Sequence, residues 1–327
     1  ALDPEVTIVG DQIKVSVNAY HETTFLKYLN IDTVDLQVNT TVNRAVRGIE
    51  VALVLDVTGF SPHRISARIM SLIDVQVATS AANQGYSSAY ASSLPATIRE
   101  LERSMVKVEG GIFTMGCTLK PTDCDRDESP AHQVEVSSFS IGKYEVTQEQ
   151  WEAVMGSNSS QFVGCGNCPV EKVNWNDVQE FIQKLNQISG GNYRLPTEAE
   201  WEFAARGGSK GKGYQYSGSD NLSIVAWYDY NSSSQTHPVG KKSSNELGLY
   251  DMSGNVWEWC SDWYGSDYYS NSPEHNPLGP KIGSSRVLRG GSWNRSDRRC
   301  RVSYRGGGSS SNRNNNIGFR LAASPEH

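Results

Sequence analysis

Long apolar runs are missing from this chain. Nothing in its 327 residues approaches the ~18 consecutive apolar residues of a membrane-spanning helix. Ala1 opens without a basic stretch followed by an apolar core, so any export signal is expected to have been removed or never made. Membrane attachment is expected only through an N-terminal lipid anchor absent from this chain. A strong charge of either sign is also missing: the net charge of −6 argues against a nucleic-acid or membrane-surface binder. Catalytic signatures are scarce. There is no Gly-x-Ser-x-Gly elbow and no His-Glu-x-x-His, and "GSKGKGY" lacks the Ser or Thr that would follow Lys212 in a phosphate loop. The six histidines are scattered, which suits structural roles for residues such as His132 and His237.

Cysteine is present in an even number, six, with four in two close pairs: Cys117 with Cys124 and Cys165 with Cys168. A four-thiolate zinc site competes with two local disulfides, but the first pair is too widely spaced for a second metal knuckle. Disulfides, and with them an oxidising, exported setting, are the favoured reading. The composition, 37% hydrophobic and 20% charged, is that of a globular protein long enough for one large or two ordinary domains.

Texture changes along the chain. In residues 1–104, "EVTIVGDQIKVSVNAY" and "TVDLQVNTTV" alternate as half-buried strands, and "IEVALVLDV" reads as a buried strand. Helix is expected over 61–83, with Ile65, Ile69, Leu72 and Ile73 on one face, and again in "LPATIRELERSM". The Asp56–Gly59 turn reads as an ordinary strand exit. From Met105 onward the chain is rich in Gly, Trp, Asn and Ser. Three short helices stand out: "TQEQWEAVMG", capped by Thr147 and Gln150 and stopped by Gly156; "NWNDVQEFIQKLNQISG", with Val178, Phe181, Ile182, Leu185 and Ile188 at helical spacing; and "LPTEAEWEFAARGG", with Thr197 answered by Glu200.

The blocks "VEGGIFTMG", "IGKYEVTQEQWEAVMG", "PVEKVNWNDVQEFIQKLN", "YRLPTEAEWEFAARGG", "GLYDMSGNVWEWCSDWYG", "RVLRGGSW" and "IGFRLAA" resemble, in order, the signature blocks of the formylglycine-generating-enzyme (sulfatase-modifying-factor) family. The resemblance runs from Met105 to Ala323. It implies an α+β domain of the C-type lectin fold over residues 105–327; residues 1–104, which the resemblance does not cover, read from their own strand and helix patterns as a smaller N-terminal α+β region. It also implies calcium held by the "SGNVWEW" block, with Asn255 and Glu258 as ligands. The alternative is that Asn255 shapes a turn and Glu258 accepts backbone hydrogen bonds. Cys260 and Cys300 fall in matching blocks, either bridged or as buried free thiols.

Authentic members of that family oxidise a substrate cysteine with two active-site cysteines that hold copper(I). Aligned on Gly290–Trp293, those positions are Arg295 and Cys300 here. One thiolate cannot complete the pair, and an arginine repels the cation, so no catalysis and no catalytic cofactor are expected.

A different pattern occupies the same region. Asn294, Arg295, Ser296, Asp297, Arg298 and Arg299, then Gly306 to Ser311, then Asn314, Asn315 and Asn316, are all reachable from an asparagine codon by replacing adenines alone. Lys, Glu, Gln, Met and Trp are not reachable, and none appears at these positions. Polar loops favour Gly, Asn and Ser anyway, but that explains three arginines in six residues poorly. The pattern resembles variable proteins diversified by a retroelement that mutates adenines while a lectin-type scaffold stays constant. The resemblance implies a variable region at about 286–321 on an exported bacterial surface protein. Its ligand site would comprise Asn294–Arg299, Gly306, Gly307, Ser309 and Asn314–Asn316, over buried Trp293, Val302 and Phe319. Arg295, Arg298 and Arg299 favour an acidic partner, protein or glycan. An oxygen-using copper or iron enzyme and a structural envelope lipoprotein are the competing readings.

Overall fold

The computed structural model describes residues 95–324, and before them the strands β1 (Pro4–Val9), β2 (Gln12–Val17) and β3 (Val34–Val38). The chain divides into two compact units, Ala1–Ala81 and Ala82–His327. In the first, β1, β2 and β3 form an antiparallel sheet in that order, where the alternating sequence predicts strands. The buried strand expected at 49–57, the helix expected at 61–83 and the Asp56–Gly59 turn lie outside the described residues.

The second unit begins with α1 (Ala96–Arg103), whose Ile98 and Leu101 enter the same apolar core as the later helices. The boundary expected after residue 104 therefore lies too late, because α1 packs with the C-terminal unit. Short helices follow the capping logic of the sequence. In α2 (Gln148–Met155) Thr147 accepts from the Gln150 amide while the Gln150 side chain returns to the Thr147 amide, and Gly156 closes the helix in the left-handed region. Asn174 and Asp177 form the same reciprocal cap on α3 (Trp175–Ser189), and Thr197 and Glu200 on α4 (Glu198–Ala205).

Two four-stranded sheets carry the rest. One has the order β4 (Met105–Val108), β7 (Phe139–Gly142), β13 (Ala322–Ala323), β8 (Tyr193–Arg194), all antiparallel, so the chain's last strand lies between two earlier ones. The other has the order β11 (Gly306–Gly308), β10 (Arg286–Arg289), β9 (Trp257–Trp263), β12 (Ile317–Gly318), with β12 parallel to β9. A hairpin of β5 (Gly111–Met115) and β6 (His132–Val136) completes the unit.

Both faces of the β9–β10 ladder are buried. Trp257, Trp259 and Leu288 face a core built by α1, α2 and α3, while Cys260 and Val287 face a second core with Phe139, Ile141 and α4. In the first core Trp151 and Phe181 stack at 5.2 Å, and Phe319 stands edge-on to both. Phe319 thus anchors the chain after the polar run, as its sequence position predicts.

Candidate ligand-binding face

The stretch expected to vary, about 286–321, begins with β10 and leaves the sheet at that strand's end. Gly290 and Gly291 turn the chain with φ of 91° and 77°, and a Cβ on Gly291 would lie 2.7 Å from the Arg299 carbonyl and from the Cys300 sulfur. Glycine at 291 is therefore required on both conformational and spatial grounds. Trp293 is buried, set edge-on to Phe162 at 5.4 Å, and its indole N–H donates to the Asn315 carbonyl at 3.0 Å.

Beyond Trp293 the side chains turn outward. Asn294, Ser296, Asp297, Arg298 and Arg299 are exposed and Arg295 is half-buried. A one-turn 3-10 segment, Asp297–Cys300, returns the chain to the interior. Cys300, Arg301, Val302, Ser303 and Arg305 are then all buried, with Tyr304 half-buried among them.

Two buried guanidinium groups fix that inward stretch. Arg301 meets both oxygens of Glu128 at 2.7 and 2.6 Å, Ser303 adds a 2.8 Å bond to the same carboxylate, and the Arg301 Nε–H donates to the Arg298 carbonyl. Arg305 meets both oxygens of Glu198 at 2.7 Å and donates to the carbonyls of Asp127 and Gly265. Arg289, on β10, lies between Glu198 and Glu202. Burial pushes the Glu202 carboxyl up, but Arg206 and Arg289 pull it below its usual value.

The glycine run forms β11, paired to β10 with Gly306 opposite Leu288 and Gly308 opposite Arg286. The three positions differ in space. A Cβ on Gly306 would find nothing nearer than 3.5 Å, and one on Gly307 would meet Cγ and Cδ1 of Tyr264 at 3.0 Å, on a ring tethered through its hydroxyl to Asp127. One on Gly308 would strike Trp259 at 2.9 Å and Leu288 at 3.0 Å. A side chain is therefore admissible at 306, requires a shift of Tyr264 at 307, and strikes the buried core at 308.

In the last stretch the carbonyls are held while the side chains project. Ser310 accepts from the Trp175 amide, Asn314 from the Lys172 amide and Asn316 from the Trp257 amide. Arg313 pairs with Asp177 at 2.7 and 2.8 Å, so it braces the loop against the first turn of α3.

Most expected site residues face outward, with four exceptions, the half-buried Arg295 among them. Asn316 is buried, its amide donating to Asn294 at 2.9 Å and to Ser292 at 3.3 Å, so it supports the face from below rather than displaying a side chain. Gly306 and Asn315 are half-buried. Arg298 is not a free cation, because it pairs with Asp125. Glu128, Glu198 and Asp125 escaped the sequence reading. The buried arginines were the signal for acidic partners, but those partners lie 173 and 107 residues away in the chain.

The calcium reading of Asn255 and Glu258 does not fit. Both Glu258 oxygens accept from Arg320 at 2.6 Å, and one also accepts from the Trp201 indole at 2.6 Å. Asn255 accepts from the His237 amide and donates to Glu145. The carboxylate charge is already met by a guanidinium, which a calcium ion would have to displace. Among the described residues no group of three or more His, Cys, Asp or Glu is placed to hold a metal ion. Burial, followed by the charges of Asp251 and Glu258, pushes the Glu145 carboxyl well above its usual range.

Cysteine chemistry follows the local reading. Cys117–Cys124 and Cys165–Cys168 are disulfides. Cys260 and Cys300 are free and belong to different apolar clusters, so the bridge considered between them is not formed. Burial pushes the Cys300 thiol up to about 12, which keeps it protonated at neutral pH. His132 and His237 are structural: His132 bonds the Pro130 carbonyl and packs on Tyr269, and His237 stacks on Trp227 at 3.8 Å.

This combination of small helices, short sheets and long anchored loops is a mixed α+β fold of the C-type lectin kind, with an ordered loop face at its C-terminal end. A family model described as the sulfatase-modifying factor enzyme 1-like domain matches residues 91–325, and the chain belongs to that family. The chaperone protein LppX of Paenibacillus barcinonensis is 38% identical over 253 residues, covering 62% of this chain and 82% of the relative. The formylglycine-generating enzyme of Streptomyces coelicolor is 31% identical over 295 residues, covering 70% of this chain and 91% of the enzyme. Among solved structures, Treponema denticola variable protein 1 superposes with a TM-score of 0.61 at 36% identity, covering 68% of this chain and 95% of its own. PvdO from Pseudomonas aeruginosa superposes at 0.59 and 28% identity, covering 68% of this chain and 94% of its own.

Proposed function

We propose that the chain is a non-catalytic ligand-binding protein of the bacterial surface, whose C-terminal face is diversified by adenine-directed codon change. One observation carries the reading. Most residues reachable by adenine replacement project outward, while the stretch Cys300–Arg305 between them turns inward and is bolted to the scaffold by Arg301–Glu128 and Arg305–Glu198. Such an arrangement lets side chains change without disturbing the core. Likeness to a structure called a variable protein supports the same reading.

Enzymatic relatives favour the alternative, an oxygen-using catalyst. Two features weigh against it: Arg295 stands where a second thiolate is needed, and Cys300 is a buried thiol held in the protonated form. Two disulfides suit an oxidising, exported setting. The deciding experiment has two arms. Sequencing the genomic neighbourhood should reveal a reverse transcriptase and a near-identical repeat differing at adenines. Purified protein given copper, oxygen and a cysteine peptide should form no formylglycine; its formation would return the domain to the enzymes.

A further inference from the structure

Two guanidinium groups on the candidate face form no ion pair among the described residues, and exposed apolar side chains lie on the adjoining segments. Among the four arginines displayed in this region, Arg298 pairs with Asp125 and Arg313 with Asp177. Arg295 and Arg299 belong to no ion pair among the described residues, and the Arg295 Nε is buried with no hydrogen-bond partner. Burial, followed by repulsion from Arg299, lowers the Arg295 pKa, so the two cations disfavour one another in the free protein. Of the acids in this neighbourhood, Asp297 accepts from the Arg298 amide and Asp229 lies on the adjoining segment, yet neither forms an ion pair with Arg295 or Arg299.

The neighbouring segments lie outside the stretch read as variable, about 286–321, and both close on the same platform. Asp229 donates its amide to the Arg295 carbonyl at 3.2 Å, and Ser232 donates its hydroxyl to the Trp293 carbonyl at 2.7 Å. They hold Tyr228 and Tyr230 in a stack at 6.2 Å, with Tyr230 83% exposed. On the other segment, Phe162 packs edge-on to Trp293, and Val163 beside it is 69% exposed. Backbone amides of Gln161 and Phe162 bond Glu171, which fixes that segment. An exposed Tyr and an exposed Val on these adjoining segments, with two guanidinium groups that form no ion pair among the described residues, make a surface that is apolar outside the stretch read as variable and cationic within it.

Resting on the reading of this face as a ligand site, we propose that its occupant is an acidic polypeptide segment, whose carboxylates bind Arg295 and Arg299 while an apolar side chain packs against Tyr230 and Val163. A carboxylate between the two guanidinium groups would offset their repulsion. A sulfated glycan offers charge and sugar C–H faces for the Tyr230 ring but no aliphatic or aromatic side chain for Val163, which favours the polypeptide. The 440 Å³ cleft at Trp175, lined by Ser137, Arg194, Thr197 and Glu200 among others, includes none of the displayed residues.

The test is selection of a displayed random 12-residue peptide library on the full chain, followed by fluorescence anisotropy with single labelled peptides and, in parallel, with labelled heparin. Enriched peptides should carry at least two Asp or Glu and one aromatic or large aliphatic residue. Arg295→Ser and Arg299→Ser should each weaken such a peptide at least ten-fold, and Tyr230→Ala several-fold. Tyr230→Ala should also weaken peptides selected afresh against an Arg295→Ser/Arg299→Ser chain, because Tyr230 lies outside the stretch read as variable. Enrichment of neutral or basic peptides, heparin as the better ligand, indifference to Tyr230→Ala and Val163→Ala, or no enrichment at all would each overturn the proposal. If binding survives replacement of every displayed residue, the face itself is not the ligand site and the functional reading falls as well. Tyr230 is exposed, so its truncation tests binding rather than folding.

Discussion

Removing the Arg301 guanidinium tests whether the displayed loop is held by buried ion pairs. In Arg301→Met the chain keeps its apolar stem but leaves the fully buried Glu128 without its bidentate partner. Breaking a buried pair from one side costs about 3–5 kcal/mol. Glu128 retains the Ser303 hydroxyl at 2.8 Å and the Asp125 amide at 3.2 Å, which places the expected loss near the lower end, at about 3 kcal/mol. For a domain of this size that is a fall of roughly 6–12 °C in melting temperature, read by tryptophan fluorescence. The double variant Arg301→Met/Glu128→Met should recover most of the loss, since apolar side chains of similar volume replace a buried pair at little cost. Residual loss should come from the Asp125 amide and the Arg298 carbonyl, which lose their partners. A single-variant loss below about 1 kcal/mol, or a double variant no better than the sum of the two singles, would refute the claim that this pair fastens the loop.

Further outcomes follow from the same geometry. Trp293→Ala should cost roughly 3–5 kcal/mol in urea unfolding, because it empties a buried aromatic site and frees the Asn315 carbonyl. Gly306→Ser should leave the melting temperature nearly unchanged, whereas Gly308→Ser should lose about 1–3 kcal/mol by striking Trp259 and Leu288. Burial, with the Glu198 charge beside it, raises the Asp262 carboxyl to about 7. The folded chain thus holds a proton that an unfolded Asp, with a pKa of about 3.9, releases, so this stability is full below pH ~4 and is lost as pH rises through 7. Between pH 5 and 8 the loss is about 2–3 kcal/mol, and Asp262→Asn, which keeps the acceptor for Ser261 and the Glu198 amide, should abolish it in urea midpoints. Chelator should leave the melting temperature unchanged, since Arg320 already neutralises Glu258; a fall of several degrees would restore the calcium reading.

Local rules written in the sequence set the helices, because a cap needs only residues three or four apart. Thr147 with Gln150, Thr197 with Glu200, and the apolar spacing from Val178 to Leu185 each act within one element, and each formed as read. The two disulfides are similarly local, separated by seven and three residues. Even the alternation of outward and inward residues from Asn294 to Arg305 was legible, since burial suits Trp293 and Val302 while a polar run suits solvent.

Tertiary structure decided what required long-range partners. Which arginine is free could not be read, because Asp125 takes Arg298 and Asp177 takes Arg313 across 173 and 136 residues, leaving Arg295 and Arg299 without an ion pair among the described residues. Asn316 looks like its neighbours in sequence but lies under Asn294, and Gly308 looks like Gly307 but faces Trp259. Glu258 looks like a cation ligand until Arg320 is seen against it. Charge and burial are properties of the assembled surroundings of a side chain, so identical residue types took different roles once the sheets brought distant segments to them.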